Sequence, residues 1–169
     1  MRFQGKVWKF GDDIDTDIII PARFLNTFDK DELARNCFAD IRPGFREMIS
    51  PGDIIVAGKN FGSGSSREHA PLAIKAAGIG VVAAESFARI FYRNAFNVGL
   101  PILESKEAPR SIEEGSLVSV NLATGEIVDR NTGQRFFAKP VPSFMREIID
   151  AGGLVAYVKK RGLAEQQAS

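Results

Sequence analysis

A glycine-rich run fills residues 58–71 and reads Gly-Lys-Asn-Phe-Gly-Ser-Gly-Ser-Ser-Arg-Glu-His-Ala-Pro. A mostly apolar stretch of strand type precedes it at residues 53–57, and a stretch of helical composition at residues 72–77 follows it and stops at Gly78. The order strand, glycine loop, helix predicts an α/β unit. The run also contains adjacent serines, an arginine, a glutamate and the only histidine of the chain, so we expect chemistry here.

The run has the properties of an anion-cradling loop. Gly62 and Gly64, on either side of Ser63, lack a Cβ atom, so the backbone can turn tightly and point its N–H groups at a small ligand. Ser65 and Glu68 have the spacing of a capping box, which predicts that the serines lie at the positive end of the following helix.

Pro71 complicates this start, because a proline beyond the first helical turn clashes with the preceding turn. The regular helix is therefore expected to begin near Ala70, and its first residue is left open.

Three other interpretations of the run compete with an anion-cradling loop. The first is a plain Ser/Gly turn before a helix. A nucleotide-binding loop would need a Gly-Lys-Ser/Thr ending or the spacing Gly-x-Gly-x-x-Gly, and the run has neither. A hydrolase nucleophile at Ser65 or Ser66 would normally use a histidine from elsewhere in the fold, whereas His69 lies in the same short segment. The glycines and serines alone leave a turn and an active site as alternatives.

The run as a whole resembles the swivelling-domain signature of the aconitase superfamily, in the form found in the stand-alone small subunits of isopropylmalate dehydratases. Two further segments resemble the same subunits: residues 11–21, Gly-Asp-Asp-Ile-Asp-Thr-Asp-Ile-Ile-Ile-Pro, and residues 85–95, Glu-Ser-Phe-Ala-Arg-Ile-Phe-Tyr-Arg-Asn-Ala. The resemblance implies an α/β fold, namely a single swivelling β/β/α domain of the aconitase C-terminal-domain type over residues 1–169.

The resemblance also implies roles for three residues of the run. Ser65 would be the catalytic base, Ser66 a neighbour that supports the substrate or the base, and Arg67 a carboxylate-binding side chain. A serine hydroxyl is a weak acid, so its alkoxide must be held by backbone donors and positive charge. A guanidinium binds a carboxylate with two parallel hydrogen bonds. His69 is expected to pack or to orient its neighbours.

Substrate choice is expected to depend on residues 21–27, Pro-Ala-Arg-Phe-Leu-Asn-Thr, which we call the specificity segment. Homoaconitase-like members of the superfamily tend to carry Tyr-Leu-Arg-Thr here, and Asn26 stands in place of that arginine. Without this charge, isopropylmalate is favoured over homoaconitate or citrate, although a small dicarboxylate such as methylated malate or citraconate stays open. The predicted substrate-binding residues of the segment are Arg23, Phe24, Leu25, Asn26 and Thr27.

Metal chemistry within this chain is not expected. Cys37 is the single cysteine, so the chain cannot supply several thiolates to a cluster, and we expect a small packed thiol without a role. The acids of residues 12–17 lack the spacing of an EF-hand and are expected to cap helices and loops. In the superfamily a 4Fe–4S cluster acts as Lewis acid. The resemblance therefore implies a large subunit that carries this iron–sulfur cluster, with the active site shared between the subunits.

Composition agrees with a soluble enzyme. The formal net charge is +1, from 22 basic and 21 acidic residues, which argues against nucleic-acid and membrane partners. No apolar signal segment begins the sequence, so a cytoplasmic location is expected. The resemblance, by contrast, implies a hydro-lyase subunit, inactive alone, that interconverts 2- and 3-isopropylmalate in leucine biosynthesis. The alternatives are a homoaconitase or other short-dicarboxylate hydro-lyase, and a non-catalytic anion-binding module. Self-association of the isolated chain stays open.

The remaining pattern predicts mixed α/β elements punctuated by glycines. They are a strand at residues 6–10, a long ordered loop at 12–28, a helix-like segment at 31–38, a strand at 79–84, a helix capped by Ser86 that stops at Gly99, turns at 124–125 and 132–133, a helix at 143–150 ended by Gly152, and a final strand at 154–158.

Overall fold

A computed structural model describes all residues, 1–169, as strands, helices and connecting loops. The strands are β1 (Arg2–Lys9), β2 (Ile54–Ala57), β3 (Val81–Ala84), β4 (Ile102–Glu104), β5 (Leu117–Asn121), β6 (Glu126–Asp129) and β7 (Arg135–Phe137). The helices are α1 (Thr16–Ile19), α2 (Lys30–Arg35), α3 (Phe45–Met48), α4 (His69–Ala77), α5 (Arg89–Val98), α6 (Ala108–Ser111), α7 (Ser143–Ala151) and α8 (Leu154–Ala168), with a 3-10 turn at Ala22–Phe24. None of these helices combines the length and the apolar character that crossing a membrane requires.

The strands form one seven-stranded sheet in the order β4-β3-β2-β1-β5-β6-β7. Strands β1 to β4 run parallel, whereas β5, β6 and β7 are antiparallel to their neighbours. Every residue of β2 and β3 is buried, as expected for parallel strands with both faces covered. The antiparallel half is built from hairpins, with Gly125 and Gly133 at positive φ in the two predicted turns.

The parallel topology brings the three segments that carry the family resemblance to one edge of the sheet. The loops after β1, β2 and β3 all leave from the carboxyl ends of their strands, which is where ligands bind in open α/β sheets. Isolated bridges pair Asp15 with Ser63 and Phe61 with Phe87. The loop after β2 is therefore held between the other two.

Most predicted elements are present, but the final strand is wrong. Residues 154–158 begin helix α8, which continues to Ala168 and buries none of its side chains. Valine and tyrosine favour strands, but the helix-forming lysine, arginine, glutamate and glutamine residues that follow them continue the same helix. Residues 143–150, by contrast, form α7 as predicted, and Gly152 ends that helix in a left-handed conformation.

Two local predictions also need correction. The long loop at residues 12–28 contains helix α1 and the 3-10 turn. Ser86 does not cap a helix: α5 begins later, after Ala88, and the Ser86 hydroxyl accepts a hydrogen bond from the Asn60 N–H at 2.8 Å. The serine thus links the loops after β2 and β3.

Asp53 is a buried carboxylate that joins β1 to the turn before β2. It is 4% exposed and accepts hydrogen bonds of 3.0 Å from the Lys6 N–H, the Trp8 indole N–H and the Ser50 N–H. We expect Asp53→Ala to lower the free energy of unfolding by about 3 kcal/mol, because buried donors lose a charged acceptor. Urea denaturation measures this change.

The matched control for this prediction is Asp31→Ala. The Asp31 side chain is 77% exposed and pairs with Arg46 at 3.4 Å, so its loss should cost less than about 1 kcal/mol. Equal destabilisation by both variants would contradict the role given to Asp53.

Candidate active site at the carboxyl edge of the parallel strands

The glycine loop, residues 58–68, turns as its sequence predicts. Gly62 has a φ of 81° and Gly64 a φ of 94°, which is the left-handed region that favours glycine. The Gly62 N–H donates to the Ile14 carbonyl at 2.7 Å. A Cβ atom at position 62 would overlap the ring of Phe91 on helix α5. Gly62 thus lets the loop pass between the β1 loop and α5.

We expect Gly62→Ala to destabilise the chain by about 3 kcal/mol, since it combines backbone strain with overpacking against Phe91. Gly133→Ala is the control: Gly133 has a φ of 77°, but no atom lies within 4 Å of the position that its Cβ would take. It should cost about 1 kcal/mol, from backbone strain alone. Thermal or urea unfolding of the two variants separates backbone strain from steric overlap with Phe91. Equal losses of stability would show that the overlap contributes nothing.

The end of the loop presents a series of free backbone donors. The N–H groups of residues 63–69 make no hydrogen bond within the chain. Helix α4 begins at His69, one residue before the predicted position, so Pro71 lies in the first turn, where its missing N–H leaves no helical bond broken. The donors and the helix dipole together favour an anion beside the loop.

The predicted capping box is wrong. Glu68 is itself the residue before the helix, and no side chain caps α4. Ser65 lies farther upstream, because Pro71 fixes the first turn and the left-handed Gly64 keeps the preceding backbone out of the helix. The serine hydroxyl is therefore not used to cap the helix.

Ser65 and Ser66 are exposed, and neither hydroxyl makes a hydrogen bond within the chain. The backbone beneath them is fixed by Thr16, which is 3% exposed. Its hydroxyl donates to the Ser65 carbonyl at 3.1 Å, and its N–H donates to the Ser63 carbonyl at 2.8 Å. A buried side chain of the β1 loop thus positions two hydroxyl groups that are free to meet a ligand.

Arg67 is the charged group of the loop. Its side chain is 22% exposed, its Nη1 atom is buried, and that atom makes no hydrogen bond. The Asp17 carboxylate lies 3.5 Å from Nη1 and is 63% exposed. The sequence did not predict this contact, because it joins distant segments. A buried guanidinium nitrogen without a hydrogen bond is costly, so the arrangement suits a carboxylate ligand.

The specificity segment is connected to this loop through Asp17, which accepts from the Ala22 N–H and lies 3.5 Å from the Arg67 Nη1 atom. Arg23 of the segment already has a partner within the chain. Its guanidinium binds both oxygens of Asp40, at 2.5 and 3.1 Å, and lies over the ring of Phe24. This hydrogen-bonded pair lowers the pKa of Asp40 below its usual range. Arg23 must give up or share Asp40 before it can bind a substrate.

The other predicted residues of the segment differ in their exposure. Phe24 and Leu25 are partly buried against the hydrophobic core, whereas Asn26 is exposed. The Thr27 hydroxyl accepts a hydrogen bond from the Asp29 N–H at 3.0 Å, which shapes the turn before α2. Asn26 is therefore an exposed side chain that is available to a ligand.

His69 packs against an aromatic ring that sequence reasoning did not single out. Its imidazole stacks on Phe28, with ring centroids 4.1 Å apart and planes 25° apart. Its Nε2 atom is buried without a hydrogen bond. The orienting role expected for His69 is consistent with this contact. The only sequence signal for Phe28 was a large apolar residue directly after the specificity segment.

The acids of the β1 loop shape its backbone as predicted. Asp12 accepts a hydrogen bond from the Lys59 N–H, and Asp13 accepts one from the side-chain amide of Asn60. Asp15 accepts from the Ile18 N–H, and Asp17 accepts from the Ala22 N–H. No group of histidine, cysteine, aspartate or glutamate side chains is arranged to hold a metal ion. Cys37 is 1% exposed, and this burial raises the pKa of its thiol.

Comparisons with known proteins agree with this fold. Residues 5–108 match the family described as the aconitase C-terminal domain. A 3-isopropylmalate dehydratase small subunit from Halothermothrix orenii is 61% identical over 159 residues, which cover 94% of this chain and 96% of the relative. A second small subunit, from Heliobacterium modesticaldum, is 60% identical over 161 residues, which cover 95% of this chain and 97% of the relative. A crystal structure of 3-isopropylmalate dehydratase from Methanocaldococcus jannaschii is 47% identical, with a TM-score of 0.93 over 100% of both chains.

Proposed function

The chain belongs to the aconitase C-terminal domain family, as a small subunit of 3-isopropylmalate dehydratase, and on this basis we propose a role for each residue of its exposed loop. The predicted fold class, an α/β swivelling domain, is confirmed by this match. The chain is a component of a hydro-lyase. We propose that residues 1–169 act as one domain and contribute one half of an active site.

Ser65 is the proposed catalytic base. Dehydration of a hydroxy acid removes a proton from the carbon next to a carboxylate, and the Ser65 oxygen, as an alkoxide, would form the new O–H bond. The free N–H groups of residues 63–69 and the N-terminus of α4 stabilise negative charge at that position. Ser66 is the proposed supporting hydroxyl. In the reverse direction Ser65 returns the proton.

Arg67 is the proposed carboxylate-binding side chain, and the observation that carries the proposal is its buried Nη1 atom, which makes no hydrogen bond within the chain. A substrate carboxylate that takes two parallel hydrogen bonds from the guanidinium would be held in one orientation. The acidic carbon beside that carboxylate would then be presented to Ser65. Asp17, at 3.5 Å, keeps the guanidinium in place when no substrate is bound.

The large subunit is the proposed source of the remaining chemistry. A 4Fe–4S cluster needs several thiolate ligands, and this chain offers one buried cysteine, so its residues do not fit the cluster. We propose that the cluster, a Lewis acid toward the substrate hydroxyl when present, is held by the large subunit. The exposed serines would face that subunit across a shared, cytoplasmic active site.

The proposed reaction is the interconversion of 2- and 3-isopropylmalate, as in leucine biosynthesis. Phe24 and Leu25 lie at the inner side of the specificity segment and suit an isopropyl group, while uncharged Asn26 offers no ionic partner to a third carboxylate. Steady-state assays of the enzyme reconstituted with its large subunit test this, with 3-isopropylmalate, homoaconitate, citraconate and citrate as substrates. Preference for another acid would keep the chemistry but reject the substrate. Turnover of none, by an intact complex, would favour a non-catalytic anion-binding module.

Asn26→Arg is the sharper test of the specificity segment. We expect the ratio of kcat/KM for homoaconitate over 3-isopropylmalate to rise about tenfold or more, because a charged hydrogen bond to a third carboxylate contributes about 1.5–3 kcal/mol. Asn26→Gln keeps the amide and should leave the ratio unchanged. If Asn26→Arg leaves it unchanged too, residue 26 does not contact the variable group of the substrate.

A further inference from the structure

Phe28 joins the specificity segment to helix α4 through an exposed aromatic contact. The residue follows the segment directly, and its side chain is 61% exposed. Its ring stacks on the imidazole of His69 at a centroid distance of 4.1 Å. An exposed ring contributes little to the stability of the core, so we attribute this contact to the two parts of the chain that it joins, the specificity segment and helix α4.

The specificity segment has one indirect polar link to the glycine loop, through Asp17, which accepts a hydrogen bond from the Ala22 N–H and lies 3.5 Å from the Arg67 Nη1 atom. Arg23 binds Asp40, the Ala22 N–H donates to Asp17, and the Thr27 hydroxyl accepts from Asp29. No hydrogen bond or ion pair joins residues 21–28 to residues 58–71. Because the Asp17 side chain is 63% exposed, this link is weak, and the distance between the two parts of the site depends mainly on packing, which includes the stack of Phe28 on His69.

His69 is held in a fixed position by helix α4. It is the first residue of α4, and the next two residues, Ala70 and Pro71, are buried. Because His69 follows the substrate-binding Arg67 at a short distance along a fixed backbone, a ring stacked on His69 is also fixed relative to Arg67. The stack thus connects the part of the site that binds the common carboxylate with the part that meets the variable group.

We propose that Phe28 is a positioning residue for substrate selectivity, which holds the specificity segment at a set distance from Arg67 by stacking on His69. The inference rests on the proposed function, since it presupposes that the segment meets the variable group. Without the ring, the segment would sample positions farther from the glycine loop. Discrimination between a branched and a small side group would then weaken, while proton transfer at Ser65 would be little affected.

Kinetics of the enzyme reconstituted with its large subunit test this inference. For Phe28→Ala we expect the ratio of kcat/KM for 3-isopropylmalate over citraconate to fall about fivefold to tenfold, mainly through KM. Phe28→Tyr keeps the ring and should restore the wild-type ratio. His69→Ala should lower the ratio as Phe28→Ala does, and the double variant should add nothing further.

The control is Phe137→Ala, since Phe137 is 69% exposed on β7 at the far edge of the sheet, and it should leave the ratio unchanged. An unchanged ratio in Phe28→Ala, with full wild-type turnover, overturns the inference and leaves the proposed function standing. An equal loss for both acids overturns it too, because general loosening does not alter selectivity. A wild-type complex that turns over neither acid overturns both.

Hydrogen exchange of the isolated chain gives a second measure that needs no activity. The Phe24 and Leu25 N–H groups bond within the 3-10 turn, to the Pro21 and Ala22 carbonyls. In Phe28→Ala these amides should exchange about fivefold to tenfold faster, while those of β2 keep their wild-type rates. Unchanged rates at Phe24 and Leu25 would show that the stack does not hold the segment.

Discussion

Ser65→Ala should lower kcat of the reconstituted dehydratase by about 10²-fold to 10⁴-fold, the contribution expected of a general base. The substitution removes the hydroxyl but leaves the backbone that Thr16 holds through the Ser65 carbonyl. Because the side chain is exposed and makes no hydrogen bond in the chain, stability should change by less than about 0.5 kcal/mol. Steady-state assays, together with size-exclusion chromatography of the complex, measure both effects.

Ser66→Ala is the matched control for this assignment. It removes an equally exposed hydroxyl from the neighbouring position and should cost about tenfold, consistent with a supporting hydrogen bond. If Ser66→Ala is the more damaging variant, the base is Ser66 and the order of the two roles is wrong. If both variants retain wild-type kcat with an assembled complex, neither serine is the base.

Arg67→Ala should lower kcat/KM by about 10³-fold, because truncation of one partner of a buried, hydrogen-bonded charge pair costs about 2–5 kcal/mol. The side chain is 22% exposed, and its buried Nη1 atom makes no hydrogen bond within the chain, so it is available to a substrate carboxylate. The loss should appear largely in KM, since the carboxylate is bound in both the ground state and the transition state. Arg67→Lys keeps the charge without the planar fork and should recover only part of the loss.

Arg135→Lys is the control for the arginine substitutions. Arg135 lies on β7, is 67% exposed and approaches Glu126 only to 3.8 Å, so kcat/KM should not change. Full activity in Arg67→Lys would show that a point charge is sufficient and would exclude bidentate binding. A loss confined to kcat would place Arg67 in the chemical step.

The pattern of apolar stretches and glycines was sufficient to predict the part of the fold that holds the site. Gly62, Gly64 and Gly78 adopt the left-handed conformations that only glycine adopts easily, so their positions alone predict the loop and the helix end. The apolar runs at residues 53–57 and 79–84 predicted the strands β2 and β3, whereas their parallel pairing, which brings the loops to one edge, was seen only in the structure.

Predictions failed where a local rule competed with a wider constraint. The spacing of Ser65 and Glu68 is that of a capping box, but Pro71 permits a helix start only within the preceding turn, so Glu68 takes the cap position. Residues 154–158 have strand-type side chains, yet they form a helix together with the helix-forming residues after them. Short apolar runs cannot be assigned by periodicity alone.

Contacts between segments distant in sequence could not be predicted at all. The approach of Asp17 to Arg67 and the stack of Phe28 on His69 depend on how the β1 loop folds over α4. No local pattern encodes either pair. The exposure of Asn26 and the pairing of Arg23 with Asp40 likewise emerged only from the folded chain.

The central claim, that this chain supplies the base to an active site shared with a large subunit, is tested most directly by titration of the chain into the cluster-loaded large subunit. Turnover of 3-isopropylmalate should be at background for either protein alone and should rise to a plateau as wild-type chain is added. Addition of excess Ser65→Ala chain should then lower that plateau, because the inactive chain competes for the same partner. Turnover by the large subunit alone, or a full plateau with Ser65→Ala chain only, would contradict the claim.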